Sequence, residues 1–239
     1  MSGHTEFAGL PLTVKANPRA RRVLVKLVPG RGLEVVTPKR FDKTLVADIL
    51  EQKRSWIERT RDRMTAAGTD LTGEPPEPPE IIEYRAVDRV VRVDYLDRPG
   101  KVRVTENAAR LLVSGPVAER NEVVAALCRH TVRKAREALL PWLDRVSRRT
   151  GLTYAALRVR SQRTRWGSCS SRGTISLNAK LLFLPPELVD HLLLHELCHT
   201  RHLNHSDAYW SFVAGFEPDY RRLEGEVGRG GRFVPAWFI

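Results

Sequence analysis

The chain has 239 residues, with 40 basic and 28 acidic side chains and a formal net charge of +12. No apolar run approaches the roughly 18 residues that a membrane span needs, which argues against an integral membrane protein. The first residues, MSGHTEFAGLPLTVKANPRARR, lack the apolar core of a secretory signal, and the three cysteines show no close CxxC spacing. The sequence therefore predicts a cytoplasmic globular protein with reduced thiols.

The basic excess is the most unusual bulk property of the chain. A net charge of +12 favours acidic surfaces or nucleic acid as partners, because lysine and arginine neutralise phosphates. The same charge is compatible with an ordinary solvated surface, and no recognisable nucleic-acid motif accompanies it. Charge therefore predicts at most a nucleic-acid partner through the basic surface, without specifying one.

Two patterns follow one another in the first third of the chain. Residues 11–36 alternate apolar and polar side chains in LTVKA, RVLVKLV and GLEVVT, which predicts a small antiparallel sheet. Residues 42–64 take a helical period, which predicts an amphipathic helix. Its stripe comprises Leu45, Ile49, Lys53 and Trp56, with Val46, Leu50 and Ile57 beside it. Residues 1–70 are therefore expected to form an N-terminal sheet-and-helix lobe.

The middle of the chain begins with a proline-rich segment. LTGEPPEPPE carries four prolines and no helical pattern, so residues 71–81 are expected to form a linker or loop. Strand patterns return between residues 82 and 114. A long helix is predicted over residues 119–149, kinked or broken at Pro141, with Gly151 as its C-cap.

The C-terminal part of the chain is expected to combine short strands with buried helices. ALRVRSQ and GTISLN predict strands, PPELVDHLLLHELCH predicts a buried helix opened by proline, and SDAYWSFVAGF begins another helix. Residues 82–225 are expected to form the main domain and residues 226–239 a tail. The predicted fold class is α+β, and no internal repeat is visible.

The stretch HELCHTRHLNHS, residues 195–206, holds four of the seven histidines. His195 and His199 are four residues apart in a predicted helix, so both imidazoles leave one face, roughly 6 Å apart. Their nitrogens can reach one zinc ion at about 2.0–2.1 Å. Glu196 lies about 100° further round the helix, within reach of a metal-bound water. This is the HExxH pattern, in which the glutamate takes the proton of that water.

A catalytic zinc site needs a third protein ligand and an open fourth position. His205 is the preferred candidate, provided that the chain turns before it, since a continuing helix would carry it away from the metal. Asn204 suits that turn because it tolerates left-handed backbone, and Ser206 is expected to cap the next helix. The other residues considered for the site are Glu217 and Glu224 as ligands, His202 a turn beyond the ion, and His191 in the pocket wall.

One continuous segment carries, in order, RWGSC, ISLN, a PPE helix opening, HELCH, and NHS followed by an aromatic residue and Trp210. This set resembles the signature region of the YgjP-like metallopeptidases, zincin-type proteins related to the WLM and SprT-like groups. The resemblance implies zinc ligands at His195, His199 and His205, with Glu196 as general base. It also implies that residues 82–225 are a zincin-like catalytic domain whose site helix is flanked by a small antiparallel sheet. The chain departs from the family pattern at His191, where an aromatic residue is expected, and in its proline-rich segment.

Three further features bear on catalysis. In zincin folds an edge strand beside the site helix pairs with extended substrate, and residues 173–178 are the candidate, unless they form an ordinary interior strand. Trp166 and Gly167 are expected to pack and turn rather than to catalyse. Tyr209 is a candidate oxyanion donor or a hydrophobic support of the site.

The sequence predicts zinc-dependent hydrolysis of a peptide bond in a protein or peptide substrate, with Glu196 moving the proton. One alternative is a zinc-stabilised, non-catalytic module that binds nucleic acid or protein. Glu196 argues against it, because a structural site needs no carboxylate beside its first ligand. The other alternative is metal-dependent hydrolysis of a non-peptide bond, which the motif does not exclude.

Overall fold

The computed structural model describes residues 6–28, 30–66, 70–72, 76–107, 110–162 and 164–238. The architecture is α+β, as predicted. The chain divides into two compact units, residues 1–77 and residues 78–239, and each unit has a hydrophobic core of its own.

The first unit combines a four-stranded sheet with helices. Its elements are β1 (Glu6–Phe7), β2 (Leu10–Ala16), β3 (Leu24–Val28), β4 (Gly32–Thr37), a 3₁₀ turn (Lys43–Leu45), α1 (Val46–Gln52) and α2 (Arg54–Ala66). The strand order is β1-β2-β4-β3, and β2 and β4 pair in parallel, so the sheet is mixed and the predicted antiparallel sheet is wrong. Alternation of side chains specifies which face of a strand is buried, but it does not specify strand direction.

The predicted helix of residues 42–64 is divided at Lys53, where the backbone leaves helical geometry (φ −101°, ψ 4°). The residues that enter the core are Val46, Leu50 and Ile57. Leu45 and Trp56, on the other predicted stripe, are 47% and 42% exposed. Val46, Leu50 and Ile57 keep one helical period across the break, so the pattern does not reveal it, and the core is formed by the residues beside the predicted stripe.

The second unit begins with another four-stranded sheet. The elements of the unit are β5 (Ile81–Tyr84), a 3₁₀ turn (Arg85–Val87), β6 (Arg89–Asp97), β7 (Arg103–Asn107), β8 (Arg110–Gly115), α3 (Arg120–Thr150), β9 (Ala156–Arg160), β10 (Gly167–Cys169), β11 (Thr174–Asn178), a 3₁₀ helix (Ala179–Phe183), α4 (Pro186–Cys198), α5 (Asp207–Phe216), α6 (Tyr220–Gly228) and a 3₁₀ turn (Gly230–Phe233). The order β5-β6-β8-β7, with β6 and β8 parallel and the outer pairs antiparallel, repeats that of the first unit. The chain therefore contains a repeat of topology that its sequence does not reveal.

The helix α3 follows this sheet and is not broken at Pro141. Pro141 lies on the exposed side of the helix, where water can bond the carbonyl that proline leaves without a donor. Gly151 ends the helix with a left-handed backbone (φ 70°), which confirms the predicted C-cap. Apolar residues in both halves, among them Leu127 and Leu143, are fully buried, and α3 contacts both α4 and β9.

The remaining elements surround α4. A three-stranded sheet has the order β10-β11-β9, and its edge strand β10 contacts α4. β10 and β11 pair antiparallel as predicted, whereas β11 and β9 pair in parallel, so this sheet is mixed. Near the C-terminus, Trp237 and Phe238 are 5% and 2% exposed and pack on Phe183, with ring centroids 6.0 and 5.1 Å away. The predicted tail of residues 226–239 therefore contributes to the core. None of the helices in the described ranges is both long and apolar enough to cross a membrane.

Candidate metal centre

The helix α4 carries the HELCH sequence and is buried along most of its length. It begins at Pro186, where the missing N–H belongs to the first turn and has no intrahelical partner to lose. Leu193, Leu194 and Leu197 are at most 1% exposed. This packing fixes the direction in which the histidines of α4 project.

His195, His199 and His205 converge through their Nε2 atoms. The distances are 3.2 Å between His195 and His199, 3.1 Å between His199 and His205, and 3.2 Å between His205 and His195. Two tetrahedral ligands of one zinc ion, each about 2.0–2.1 Å from it, lie about 3.3–3.4 Å apart. The three nitrogens, which are called the histidine triangle below, therefore have the spacing that a single ion requires.

Two of these histidines donate through their other ring nitrogen. His195 Nδ1 donates to Glu224 Oε1 at 2.5 Å, and His199 Nδ1 donates to the backbone carbonyl of His202 at 2.8 Å. A neutral ring protonated at Nδ1 has its lone pair at Nε2. Burial lowers the pKa of His199 and of His205, which favours the neutral form that binds metals. The triangle thus brings lone pairs together, and a cation is the partner that suits them.

His205 reaches the triangle because the chain leaves the helix after Cys198 and starts α5 at Asp207. The Ser206 hydroxyl accepts from the backbone N–H of Tyr209, which confirms the predicted cap of that helix. The His205 ring stacks on Trp210, with centroids 5.4 Å apart and planes 26° from parallel. Cap and stacking together fix the side chain of His205.

The turn before His205 is not made as predicted. Asn204 has no left-handed backbone, because no non-glycine residue of this described segment has a positive φ. Instead the helix end closes with the N–H groups of Arg201 and His202, which both donate to the carbonyl of Cys198. Helix C-termini leave carbonyls without intrahelical partners, and bonds of this kind satisfy them without a left-handed residue.

Tyr209 contacts the histidines of the triangle. Its ring stacks on His199, with centroids 4.5 Å apart and planes 18° from parallel, and its hydroxyl donates to the carbonyl of His195 at 3.2 Å. The side chain is fully buried, and burial raises the pKa of its hydroxyl. Because that hydroxyl is bonded to the main chain, the geometry favours the supporting role expected for Tyr209 over that of an oxyanion donor.

The alternative ligands lie elsewhere. The His202 ring packs on Phe212, with the ring centroids 5.2 Å apart. Two groups of described residues could hold a metal ion, and neither of them includes His202 or Glu217. Glu224 Oε1 belongs to the second of these groups, with His191 and His195. It lies 2.5 Å from His195 Nδ1 and 3.1 Å from His191 Nε2, so it is on the opposite side of the His195 ring from the triangle.

These distances are those of hydrogen bonds to an ionised carboxylate. Burial alone would raise the pKa of Glu224, but the hydrogen bonds from His191 and His195 outweigh it and hold that pKa at about 2. A carboxylate that accepts from the outer nitrogen of a metal-binding histidine fixes both its tautomer and its orientation. His191, which is 1% exposed, joins the site through this carboxylate.

Glu196 follows His195 on α4, and the side chain is 3% exposed. Among the described residues its Oε2 atom has no hydrogen-bond partner. Burial, and then the Glu224 carboxylate, raise the pKa of Glu196 to about 8, while Arg165 acts in the opposite direction. The site therefore holds a carboxylate oxygen with free lone pairs on the helix that supplies two corners of the triangle.

The strand predicted to pair with substrate is not at an edge. β11 has β10 on one side and β9 on the other, so both of its hydrogen-bonding edges are used. The expectation that residues 173–178 form the substrate-binding edge is therefore wrong, and the interior-strand alternative holds. Alternation within GTISLN cannot reveal this, because it depends on two other segments that pair with it.

Sequence reasoning missed two contacts that shape the site. The backbone of Gly167, on β10, lies directly against the Glu196 carboxylate. Asn178 is 1% exposed, and its side-chain amide donates to the carbonyls of Gln162 and Arg165. The signal for both was present in the sequence, since these residues belong to the quoted motifs RWGSC and ISLN.

A comparison with protein families identifies the family of this chain. A family model described as the YgjP-like metallopeptidase domain matches residues 21–227, which is most of the chain. The chain belongs to the YgjP-like metallopeptidase family. Membership confirms the resemblance noted in the sequence, and it makes the chain a metal-dependent peptidase.

Two solved structures share a shorter likeness. The metallopeptidase zymogen abylysin of Pyrococcus abyssi is 25% identical and covers 36% of this chain and 89% of its own, with a TM-score of 0.33. The metallopeptidase zymogen jannalysin of Methanocaldococcus jannaschii is 16% identical and covers 37% of this chain and 92% of its own, also with a TM-score of 0.33. A comparison with curated proteins found no match. The family assignment therefore rests on the family model.

Proposed function

We propose that this YgjP-like protein is a zinc peptidase in which His195, His199 and His205 hold the ion and Glu196 is the general base. The observation that carries the proposal is the histidine triangle, whose Nε2 atoms lie 3.1 to 3.2 Å apart. Neutral imidazole is a donor that zinc prefers, and three such donors leave one position of a tetrahedral site open. The open position is what a catalytic site requires.

The ligands are held for this task by their neighbours. Glu224 and the His202 carbonyl keep protons on the Nδ1 atoms of His195 and His199, so that both Nε2 atoms face the triangle as acceptors. Trp210 fixes the His205 ring by stacking. When bound, zinc supplies a Lewis acid that lowers the pKa of water and polarises a carbonyl.

Glu196 supplies proton transfer in this proposal. Its Oε2 atom, which has no partner in the described part of the chain, would accept the proton of the attacking water and return it to the leaving amine. Burial makes the carboxylate a stronger base than an exposed glutamate, and it keeps competing solvent away.

For the substrate, we propose the strand β10 as the binding edge in place of β11. In the described sheet β10 is an edge strand, and its first residue, Gly167, lies against Glu196. An extended peptide that added to this edge would bring a backbone carbonyl towards the base, with main-chain hydrogen bonds fixing its register. The substrate class is therefore an unfolded or extended protein segment.

The non-catalytic alternative is less well supported. Structural zinc sites usually have four protein ligands, whereas the group at the triangle contains three in the part of the chain that the structure describes. The buried carboxylate of Glu196 also has no role in a purely structural site. Hydrolysis of a non-peptide bond would use the same residues, and a panel of ester and phosphoester substrates would separate it from peptidase activity.

The proposal also includes a cytoplasmic location and a nucleic-acid partner. The sequence has three cysteines, an odd number without close CxxC spacing, which supports a reducing, cytoplasmic setting. A nucleic-acid partner rests on net charge alone. If it exists, affinity for DNA should fall steeply between two salt concentrations, since each neutralised phosphate releases a counterion. Absence of binding at low salt would remove that partner.

The test of the proposed function is Glu196→Gln, measured on fluorescently labelled, reduced casein together with zinc content. Glutamine keeps the shape of the side chain but cannot take the proton, so we expect unchanged zinc content and a rate lower by about 10²- to 10⁴-fold. Purified wild-type protein without zinc would contradict the metal assignment. A glutamine variant as fast as wild type would contradict the role of Glu196.

A further inference from the structure

The main chain at Gly167 approaches Glu196 more closely than any side chain at that position would allow. A Cβ on Gly167 would lie 2.8 Å from Cδ and 2.9 Å from Cγ of Glu196, and it would collide with Oε1. Gly167 does not have a positive φ, so its backbone conformation is open to every residue type. The close approach to the carboxylate, and not the turn, therefore requires glycine here.

The Gly167 backbone forms a wall against the Glu196 carboxylate, and hydrogen bonds from Asn178 hold the segment that leads into it. Asn178 donates from its side chain to the carbonyls of Gln162 and Arg165, at 2.8 and 2.7 Å, and from its backbone to the carbonyl of Trp166 at 2.8 Å. These three bonds bind the segment that leads into Gly167. A buried amide with all of these bonds made resists displacement, because breaking them leaves unsatisfied polar groups.

Opposite this wall, the Glu196 side chain is almost fully buried, at 3% exposed. Its Oε1 atom lies against the Gly167 backbone, whereas its Oε2 atom has no hydrogen-bond partner among the described residues. Among the described residues no hydrogen bond holds Oε2, so contact with the wall is a restraint that limits where the carboxylate can lie. A glutamate has three side-chain torsions, so such a contact removes conformations that would carry the oxygen away from the site.

We propose that Gly167 is a positioning residue that, anchored by Asn178, confines the Glu196 carboxylate to the conformation in which Oε2 accepts the proton. This inference rests on the proposed function, because it assumes that Glu196 is the base. It gives the RWGSC and ISLN motifs one shared task. RWGSC supplies the wall, and ISLN supplies the asparagine that holds it.

The test is Gly167→Ala, assayed on the same labelled casein as the Glu196→Gln variant. The added methyl group should push the flexible carboxylate aside while the backbone stays in place, and displacements of about 1 Å cost on the order of 10²-fold in rate. We expect kcat to fall by about that factor, with KM, zinc affinity and Tm close to those of wild type. The matched control is Gly215→Ala, since a Cβ at Gly215 meets nothing within 4 Å.

A double-mutant cycle separates positioning from a general structural effect. If Gly167 acts through Glu196, Gly167→Ala should cost almost nothing further in the Glu196→Gln background, because the two changes remove one interaction. It should also cost less in a Glu196→Asp background than in wild type, because the shorter side chain vacates the space that the methyl group takes.

Each other outcome overturns the inference. If Gly167→Ala keeps its kcat while Glu196→Gln loses activity, Gly167 does not position the base, and the proposed function stands. Loss of zinc from the alanine variant, or an equal loss of kcat in the glutamine background, assigns Gly167 another role. If the variant fails to fold, Gly167→Ala/Glu196→Ala must restore folding, or the contact is not the cause. A fully active Glu196→Gln removes both the function and the inference.

Discussion

Both units of this protein contain a four-stranded sheet of the same strand order and pairing directions, yet both metal-ligand groups of the described chain lie in the second unit. In the first unit, the sheet is followed by helices of 7 and 13 residues, and Ile57 is the one buried residue of the longer helix. In the second unit, it is followed by a single helix of 31 residues that is buried along both halves.

The two units therefore differ in the length of the helical segment that follows the repeated sheet. A helix of 31 residues spans about 46 Å, whereas four strands spaced about 4.8 Å apart form a sheet roughly 15–20 Å wide. α3 therefore extends beyond its sheet. α3 also contacts α4 and β9, and in its C-terminal half Trp142 and Arg149 donate to Asp190 of α4.

The largest expected effect follows from removing a corner of the histidine triangle. His205→Ala should weaken zinc binding by more than about 100-fold, because loss of a direct ligand costs more than loss of a supporting residue. His202→Ala is the matched control, since alanine retains the backbone carbonyl that His199 Nδ1 bonds. Chelator competition measures both affinities. A larger loss in the His202 variant would contradict the assignment of the third ligand.

A smaller effect is expected from the residue behind His195. Glu224→Ala should weaken zinc binding by about 10- to 100-fold, because His195 loses the acceptor that fixes its tautomer. Glu217→Ala, a carboxylate change outside both ligand groups, should leave zinc affinity unchanged. If the Glu224 variant loses more affinity than the His205 variant, Glu224 is itself a ligand.

Both metal-ligand groups of the described chain lie in the second unit. We therefore expect substitutions in the core of the first unit to leave zinc affinity unchanged. Leu50 is 1% exposed, so Leu50→Ala should destabilise its unit by about 2–5 kcal/mol. Denaturant unfolding measures this loss, and Leu45→Ala, at a position 47% exposed, serves as the surface control. Zinc affinity should stay at the wild-type value in both variants. A parallel loss of zinc would mean that the first unit supports the site.

Most of the correct predictions concern residues that lie near one another in sequence. The spacing of His195 and His199, the cap at Ser206 and the left-handed Gly151 each depend on a few consecutive residues, whose geometry the helix imposes. The break at Lys53 was missed although it is local, because one period was extended over two helices. Motif order was sufficient to indicate the family.

Tertiary structure decided what depends on segments far apart in the chain. Strand direction in the sheets, the interior position of β11 and the repeat of topology follow from which strands pair, and a strand's own alternation does not encode its partner. The partner of His195 Nδ1 comes from α6, 29 residues away. The wall against Glu196 comes from β10 and is held by β11. The HELCH sequence by itself placed two imidazoles on one helix face, but the orientation of their rings and the confinement of the base come from other elements. The reason is that hydrogen bonds and steric contacts act between neighbours in space.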